Sequence, residues 1–293
     1  MAQPLPRLLG VLGAGQMGSG IAQVAAMAGI HVALCDTSPL VIQAAAENLE
    51  VSLSSLVSQD KTSPAVAEAT ARRIIRSTDI QALADADTVV EAIREDEAVK
   101  CTAFSLLDTV VKPEAILASN TSSISITKLA GQTRRPAQVV GMHHMYPVPL
   151  MPLVEIIRGT ATSDAVFEAT QTLSQHMGMQ TILSEDRPGF VVNRMLLPLI
   201  NEAFFLLMEG TGTAADIDLG MILSDNHPIG PLKRADLIGL DTCLAIMKVI
   251  FEGTGDSKYR PCPLLRQYVD AGRLGRKTRL GVFSYEDYDV QAQ

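Results

Sequence analysis

The chain has 293 residues, 47% of them apolar and 19% charged, a composition that excludes disordered and fibrous classes. That length sits at the upper limit of a single hydrophobic core, so two domains are expected. Net charge is −8, from 32 acidic and 24 basic residues, and no basic block offers a face for nucleic acid.

Five short apolar runs read as buried strands: LLGVLG (8–13), HVALCD (31–36), TVVEAI (88–93), AILASN (115–120) and QVVGMH (138–143). Helical stretches lie between them, over 16–28, 39–58, 64–75 and 97–111. Ser38-Pro39 and Ser63-Pro64 are good helix starts, because proline suits the first helical position. Strand–helix alternation of this kind predicts an α/β fold, a doubly wound, mostly parallel sheet with helices on both faces.

After LVEII (153–157) and QTILSE (180–185) the pattern turns helical. One long apolar helix is predicted over 188–210, ended by Gly210, with shorter ones over 216–223, 231–238 and 241–251. The boundary is placed between Asp186 and Arg187. Residues 1–186 form a Rossmann-like domain and 187–293 a smaller all-helical one. A helical domain this apolar is expected to bury surface against a second copy, making a homodimer.

Within VLGAGQMGSG, Gly13, Gly15 and Gly18 follow the first strand and open the first helix. In that context Gly13 allows a tight turn, Gly15 lets the backbone approach a pyrophosphate, and Gly18 lets helix and strand pack closely. Gln16 and Met17 complete the cradle at the helix N-terminus, where N–H groups and the dipole favour phosphate. Asp36 ends the second strand and is placed to accept hydrogen bonds from ribose hydroxyls; with no arginine following, NAD is the expected cofactor rather than NADP.

A nicotinamide enzyme that oxidises an alcohol needs a base for the hydroxyl proton. Of five histidines, His143 and His144 lie at the C-terminal end of a parallel strand, where ligands bind in this architecture. Successive side chains on a strand point to opposite faces, so at most one of the pair meets the cleft. Glu155, the one acid in 137–163, sits in the following apolar strand and needs a partner there. A His–Glu dyad resolves both oddities, with either histidine still open. The four cysteines (Cys35, Cys101, Cys243 and Cys262) are far apart, form no metal-ligand spacing, and read as free thiols in a reducing compartment, the cytoplasm or an organellar matrix. No metal site, membrane span or nucleic-acid partner is expected.

The blocks GAGQMGSGIAQVAA, VVEAI, ASNTSSISIT, GMHxMxPVPLMPLVEII, PGFVVNR and NHPIGPLxxADLIGLD, in that order, closely resemble the 3-hydroxyacyl-CoA dehydrogenase family. The likeness runs from about residue 7 to 285 and is strongest to its short, monofunctional 3-hydroxybutyryl-CoA branch. The resemblance implies reversible, NAD-dependent oxidation of the 3-hydroxyl of a short-chain acyl-CoA. It puts the catalytic histidine on His143 and its partner acid on Glu155, and makes Ser122 and Asn193 the contacts to the substrate's 3-oxygen. It also implies that Glu95, Lys100, Ser122 and Lys277 approach the cofactor, and it assigns the helical domain to substrate binding and dimerisation.

The chain departs from the family pattern at several positions, including Lys233 and Arg234 in the loop after GPL and Arg279 where a glycine is usual. His144 stands where an aromatic is usual, and Tyr146 where an asparagine is usual. Gln59 replaces an expected lysine near the CoA phosphates, although Lys61 is close. Tyr146 supports a second reading, an NAD-binding protein of little or no turnover with a structural or regulatory role.

Overall fold

The computed structural model describes residues 5–285, in two compact units that divide between Asp186 and Arg187. The first unit runs β1 (Leu8–Leu12), α1 (Gln16–Met27), β2 (His31–Cys35), α2 (Pro39–Ser58), α3 (Pro64–Arg72) and β3 (Ile74–Ser77). It continues through β4 (Thr88–Glu91), α4 (Glu97–Val110), β5 (Ile116–Ser119), α5 (Ile126–Ala130), β6 (Val139–His144), β7 (Leu153–Arg158), α6 (Asp164–His176) and β8 (Gln180–Glu185). Ser38 and Ser63 cap α2 and α3, their hydroxyls accepting from Val41 N and Val66 N, each with proline next in line.

The eight strands form one sheet in the order β3-β2-β1-β4-β5-β6-β7-β8. All neighbours pair in parallel except β6 and β7, which are antiparallel. Chain order reverses between β1 and β4, and a crevice opens outside strand C-termini at such a switch point. The ends of β1, β4, β5 and β6 therefore share one edge of the sheet. Because β7 runs backwards, its start comes to that edge too. Leu9, Val11, Ile21, Val32, Val90, Val140 and Ile156, all fully or almost fully buried, belong to the main core of this unit.

The helix expected over 64–75 ends three residues early, at Arg72. Ile74–Ser77 instead pairs with β2 as a short edge strand, with Ile74 opposite Val32. A sheet edge left open by β2 outweighs the local helical pattern. Helices α5 and α6 also go beyond the expected elements.

The second unit contains α7 (Val192–Glu209), α8 (Ala214–Asp225), α9 (Pro231–Ile238), α10 (Leu240–Thr254) and α11 (Pro263–Asp270). The long helix starts at Val192 rather than 188, because Gly189 (φ 79°) and Phe190 (φ 50°) adopt left-handed conformations that no helix continues through. It ends as expected at Gly210, whose φ of 71° closes it. Two buried aspartates staple the unit. Asp218 accepts from Leu232 N and Lys233 N at the start of α9, and Asp236 accepts from Val282 N, Phe283 N and the Tyr285 hydroxyl. Burial pushes both carboxyls up from the ordinary carboxylate range. The whole chain is thus an α/β protein, a Rossmann-like doubly wound sheet followed by a smaller all-helical unit. Among the described residues, no helix is long and apolar enough to cross a membrane.

Candidate active site

The glycine loop joins β1 to α1, and each glycine meets a different constraint. Gly13 has φ 102°, and a Cβ there would lie 2.6 Å from Ala92 O. A Cβ on Gly18 would fall 1.8 Å from Gly13 O, so only glycine lets the helix sit this close to its own loop. Gly15 is the contrast: a Cβ there would meet nothing within 4 Å, which marks an open approach. Gly15 also caps α1, and no side chain caps the helix there, so the first N–H groups remain available to an anion.

Asp36 closes this loop from β2, its two carboxylate oxygens accepting from Ala14 N at 2.9 Å and Ser38 N at 2.9 Å. Both Asp36 and the glycine loop line a cleft of about 760 Å³, walled on the other side by Ala92, Ile93, Val99 and Leu106. Its apolar wall, the Asp36 carboxylate and the bare helix N-terminus offer the chemistry that the parts of a dinucleotide require, so the residues present fit NAD. Gln16 is exposed and Met17 half-buried at the start of α1.

Across the antiparallel β6–β7 pair, His143 stands directly opposite Glu155. Paired residues project from the same face, and His143 Nδ1 lies 3.0 Å from Glu155 Oε2. Glu155 is fully buried and His143 is 7% exposed. The pairing left open by the sequence is therefore made by His143. An Nδ1–H donated to Glu155 leaves Nε2 as the basic nitrogen.

Lys100 joins a buried network, and Glu95 lies at its exposed edge. Lys100 Nζ, on α4, donates to Glu91 Oε1 at 2.6 Å and lies 3.4 Å from Glu95 Oε2. Glu91, fully buried at the end of β4, also accepts from Ile93 N (2.7 Å) and from the Ser119 hydroxyl (2.7 Å). Glu95 Oε1 gathers the loop after β5, accepting from Thr121 Oγ1, from the backbone N–H groups of Ser122 and Ser123, and from both serine hydroxyls. Burial works against ionising Glu95, but the Lys100 charge and these donors hold its carboxyl below the ordinary range. Ser122 is thus held at a defined place by a carboxylate on the neighbouring turn. The sequence does not reveal that Glu91 anchors this network; a lone acid at the end of the apolar run TVV was the available signal.

His144 points to the opposite face from His143 and is 2% exposed. Its Nδ1 lies 3.0 Å from both Asn120 Oδ1 and Met142 O, so Nδ1 carries the proton. Burial pushes the imidazole down to about 4, leaving it neutral near neutral pH. Tyr146 follows on the loop and is 44% exposed. In the second unit, Asn193 is buried on the first turn of α7, and Lys277 binds both oxygens of Asp241 at 2.6 Å.

Residues 8–187 match the model of the 3-hydroxyacyl-CoA dehydrogenase NAD-binding domain, and residues 189–285 match that of the 3-hydroxyacyl-CoA dehydrogenase C-terminal domain. The chain is 52% identical to a 3-hydroxybutyryl-CoA dehydrogenase of Bradyrhizobium diazoefficiens, over 94% of each protein. It is 49% identical to a probable 3-hydroxybutyryl-CoA dehydrogenase of Bacillus subtilis, covering 94% of this chain and 96% of that one. The crystal structure of an (S)-3-hydroxybutyryl-CoA dehydrogenase from Ralstonia eutropha superimposes with a TM-score of 0.93 at 46% identity, covering 96% of this chain and 99% of that one.

Proposed function

The chain belongs to the 3-hydroxyacyl-CoA dehydrogenase family of NAD-dependent oxidoreductases, and from that premise we propose that it interconverts 3-hydroxybutyryl-CoA and acetoacetyl-CoA. Bound NAD supplies the acceptor for the hydride that leaves C3. His143 takes the 3-hydroxyl proton at Nε2, while Glu155 fixes the Nδ1–H tautomer and stabilises the imidazolium that results. Ser122 and Asn193 donate to the 3-oxygen as it becomes a carbonyl. In the reverse direction His143 returns the proton. The observation that carries this reading is the His143–Glu155 contact, a buried acid–base pair at the sheet edge that also carries the dinucleotide cleft.

The Gly13–Gly18 loop and Asp36 hold the cofactor in this reading, with Glu95, Lys100 and Lys277 supporting it. The helical unit contributes to substrate binding and pairs with a second copy; Met195, Leu219 and Leu223 expose apolar side chains there. The protein acts in the cytoplasm or an organellar matrix.

NADH oxidation with acetoacetyl-CoA tests the assignment. The native chain is expected to turn over, and His143→Gln to lose about three orders of magnitude in kcat. A native chain that binds NAD but does not turn over this substrate would refute the reading in favour of a binding protein. Sedimentation of the native protein tests the dimer; a monomer at micromolar concentration removes that part.

A further inference from the structure

His144 is costly to keep where it is. It is almost wholly buried, and its Nε2 has no hydrogen-bond partner among the described residues. A buried acceptor without a partner weakens a fold, and an apolar ring of similar shape would avoid that loss. What the imidazole gains is Asn120. The Asn120 carboxamide oxygen accepts from His144 N at 2.9 Å and faces His144 Nδ1 at 3.0 Å. With both donors on Oδ1, the amide cannot flip without setting its NH2 against two N–H groups.

The other half of that amide is uncommitted. Asn120 Nδ2 makes no hydrogen bond among the described residues, yet it is not among the buried unpartnered atoms, so it reaches open space. Its place is also fixed from below. Asn120 N donates to Glu91 O at 2.8 Å, and the next residue on each side, Ser119 and Thr121, is tied to Glu91 and Glu95. Asn120 therefore holds a fixed N–H donor at the end of β5. That strand lies between β4, whose following turn walls the dinucleotide cleft, and β6, which carries His143.

We propose that Asn120 donates a hydrogen bond to a ligand carbonyl in this site and that His144 is the positioning residue that orients it. The inference rests on the dehydrogenase reading above. An amide N–H recognises a carbonyl oxygen, and two ligands offer one here, the nicotinamide carboxamide and the acyl-CoA thioester.

Asn120→Asp is the sharpest variant, because it keeps an oxygen toward His144 and replaces only the outward NH2 with an acceptor. It should melt near the native temperature without cofactor and lose about tenfold or more in kcat/KM. A weakened NAD dissociation constant assigns the contact to the nicotinamide carboxamide. A raised acyl-CoA KM with unchanged NAD affinity assigns it to the thioester. His144→Phe should fold with no loss of melting temperature and show a smaller activity defect of the same kind, since the backbone N–H at 144 still holds Asn120 Oδ1, and His144→Gln, which restores a side-chain N–H, should recover part of it. In Asn120→Ala, adding His144→Phe should cost nothing further, since the residue it orients is gone. Native kcat/KM in Asn120→Asp, or fully additive losses in the double variant, would overturn the inference. A native chain inactive on acetoacetyl-CoA would instead overturn the functional reading beneath it, so the two failures are told apart.

Discussion

His143 and Glu155 are cross-strand partners, set opposite each other by the antiparallel register of β6 and β7 and joined by a 3.0 Å contact. The dyad thus depends on strand pairing, not on a mobile loop, and its geometry is as rigid as the sheet edge that holds it. Glu155→Gln keeps an oxygen at the same place but removes the charge that stabilises an imidazolium. It is expected to lower kcat by about a hundredfold with little change in the acyl-CoA KM, measured by steady-state NADH oxidation. Equal losses in Glu155→Gln and Glu155→Ala would show that the oxygen, without its charge, does nothing.

Gly15 and Gly18 separate cofactor binding from folding. Gly15 has a φ of −67° and open space around its missing Cβ, so Gly15→Ala should change stability by no more than about 0.5 kcal/mol. In the proposed cofactor site the same methyl would meet the dinucleotide, so NAD affinity should fall at least about tenfold. Gly18→Ala puts a Cβ 1.8 Å from Gly13 O and is expected to lower the melting temperature even without NAD. Thermal melts and NAD titration on both variants check the contrast; an unstable Gly15→Ala that binds NAD normally would reverse it.

The readability of this chain divides along physical lines. The glycine loop, Asp36 and the first strand–helix–strand unit are legible because they depend on local backbone constraints: a tight turn, a close approach, a cap. The choice between His143 and His144 is not local. It depends on the loop 145–152, which sets the β6–β7 register, and no hydrophobic pattern reports that. The short strand Ile74–Ser77 follows α3 after one residue, Arg73, and the run Arg73-Ile74-Ile75-Arg76 reads equally well as the end of a helix. Lys100 and Glu91 are least legible, since a charge on a helix or at a strand end ordinarily faces water. Only the folded chain shows them paired and buried, 1% and 0% exposed.

Lys100 contacts two carboxylates, Glu91 and Glu95. Removing it leaves Glu91 charged in a fully buried place, so Lys100→Met should destabilise the first unit by about 3–5 kcal/mol, read by denaturant unfolding. Lys100→Arg keeps the charge and should lose less. If Lys100→Met is as stable as the native protein, the Lys100–Glu91 contact does not support the fold.

Glu95 makes the last prediction one of pH. Its carboxyl is held below the ordinary value of 4.5 in the folded protein: burial raises it, but Lys100 and the donors of the 121–123 loop outweigh that. A carboxyl lowered by folding stabilises the native state at pH values above its unfolded pKa, and that stability is lost as pH falls through the folded value. At neutral pH the contribution is therefore fully present, and it declines only below about 4.5. Glu95→Gln cannot ionise, so it should melt lower than the native protein at neutral pH. The gap should narrow as melts are taken down through the acid range. Because Glu95 also collects five donors from Thr121, Ser122 and Ser123, the same variant should lose activity at neutral pH, where its fold is intact. A gap in melting temperature that is constant from neutral to acid pH would mean that Glu95 supports the loop through shape alone, without its charge.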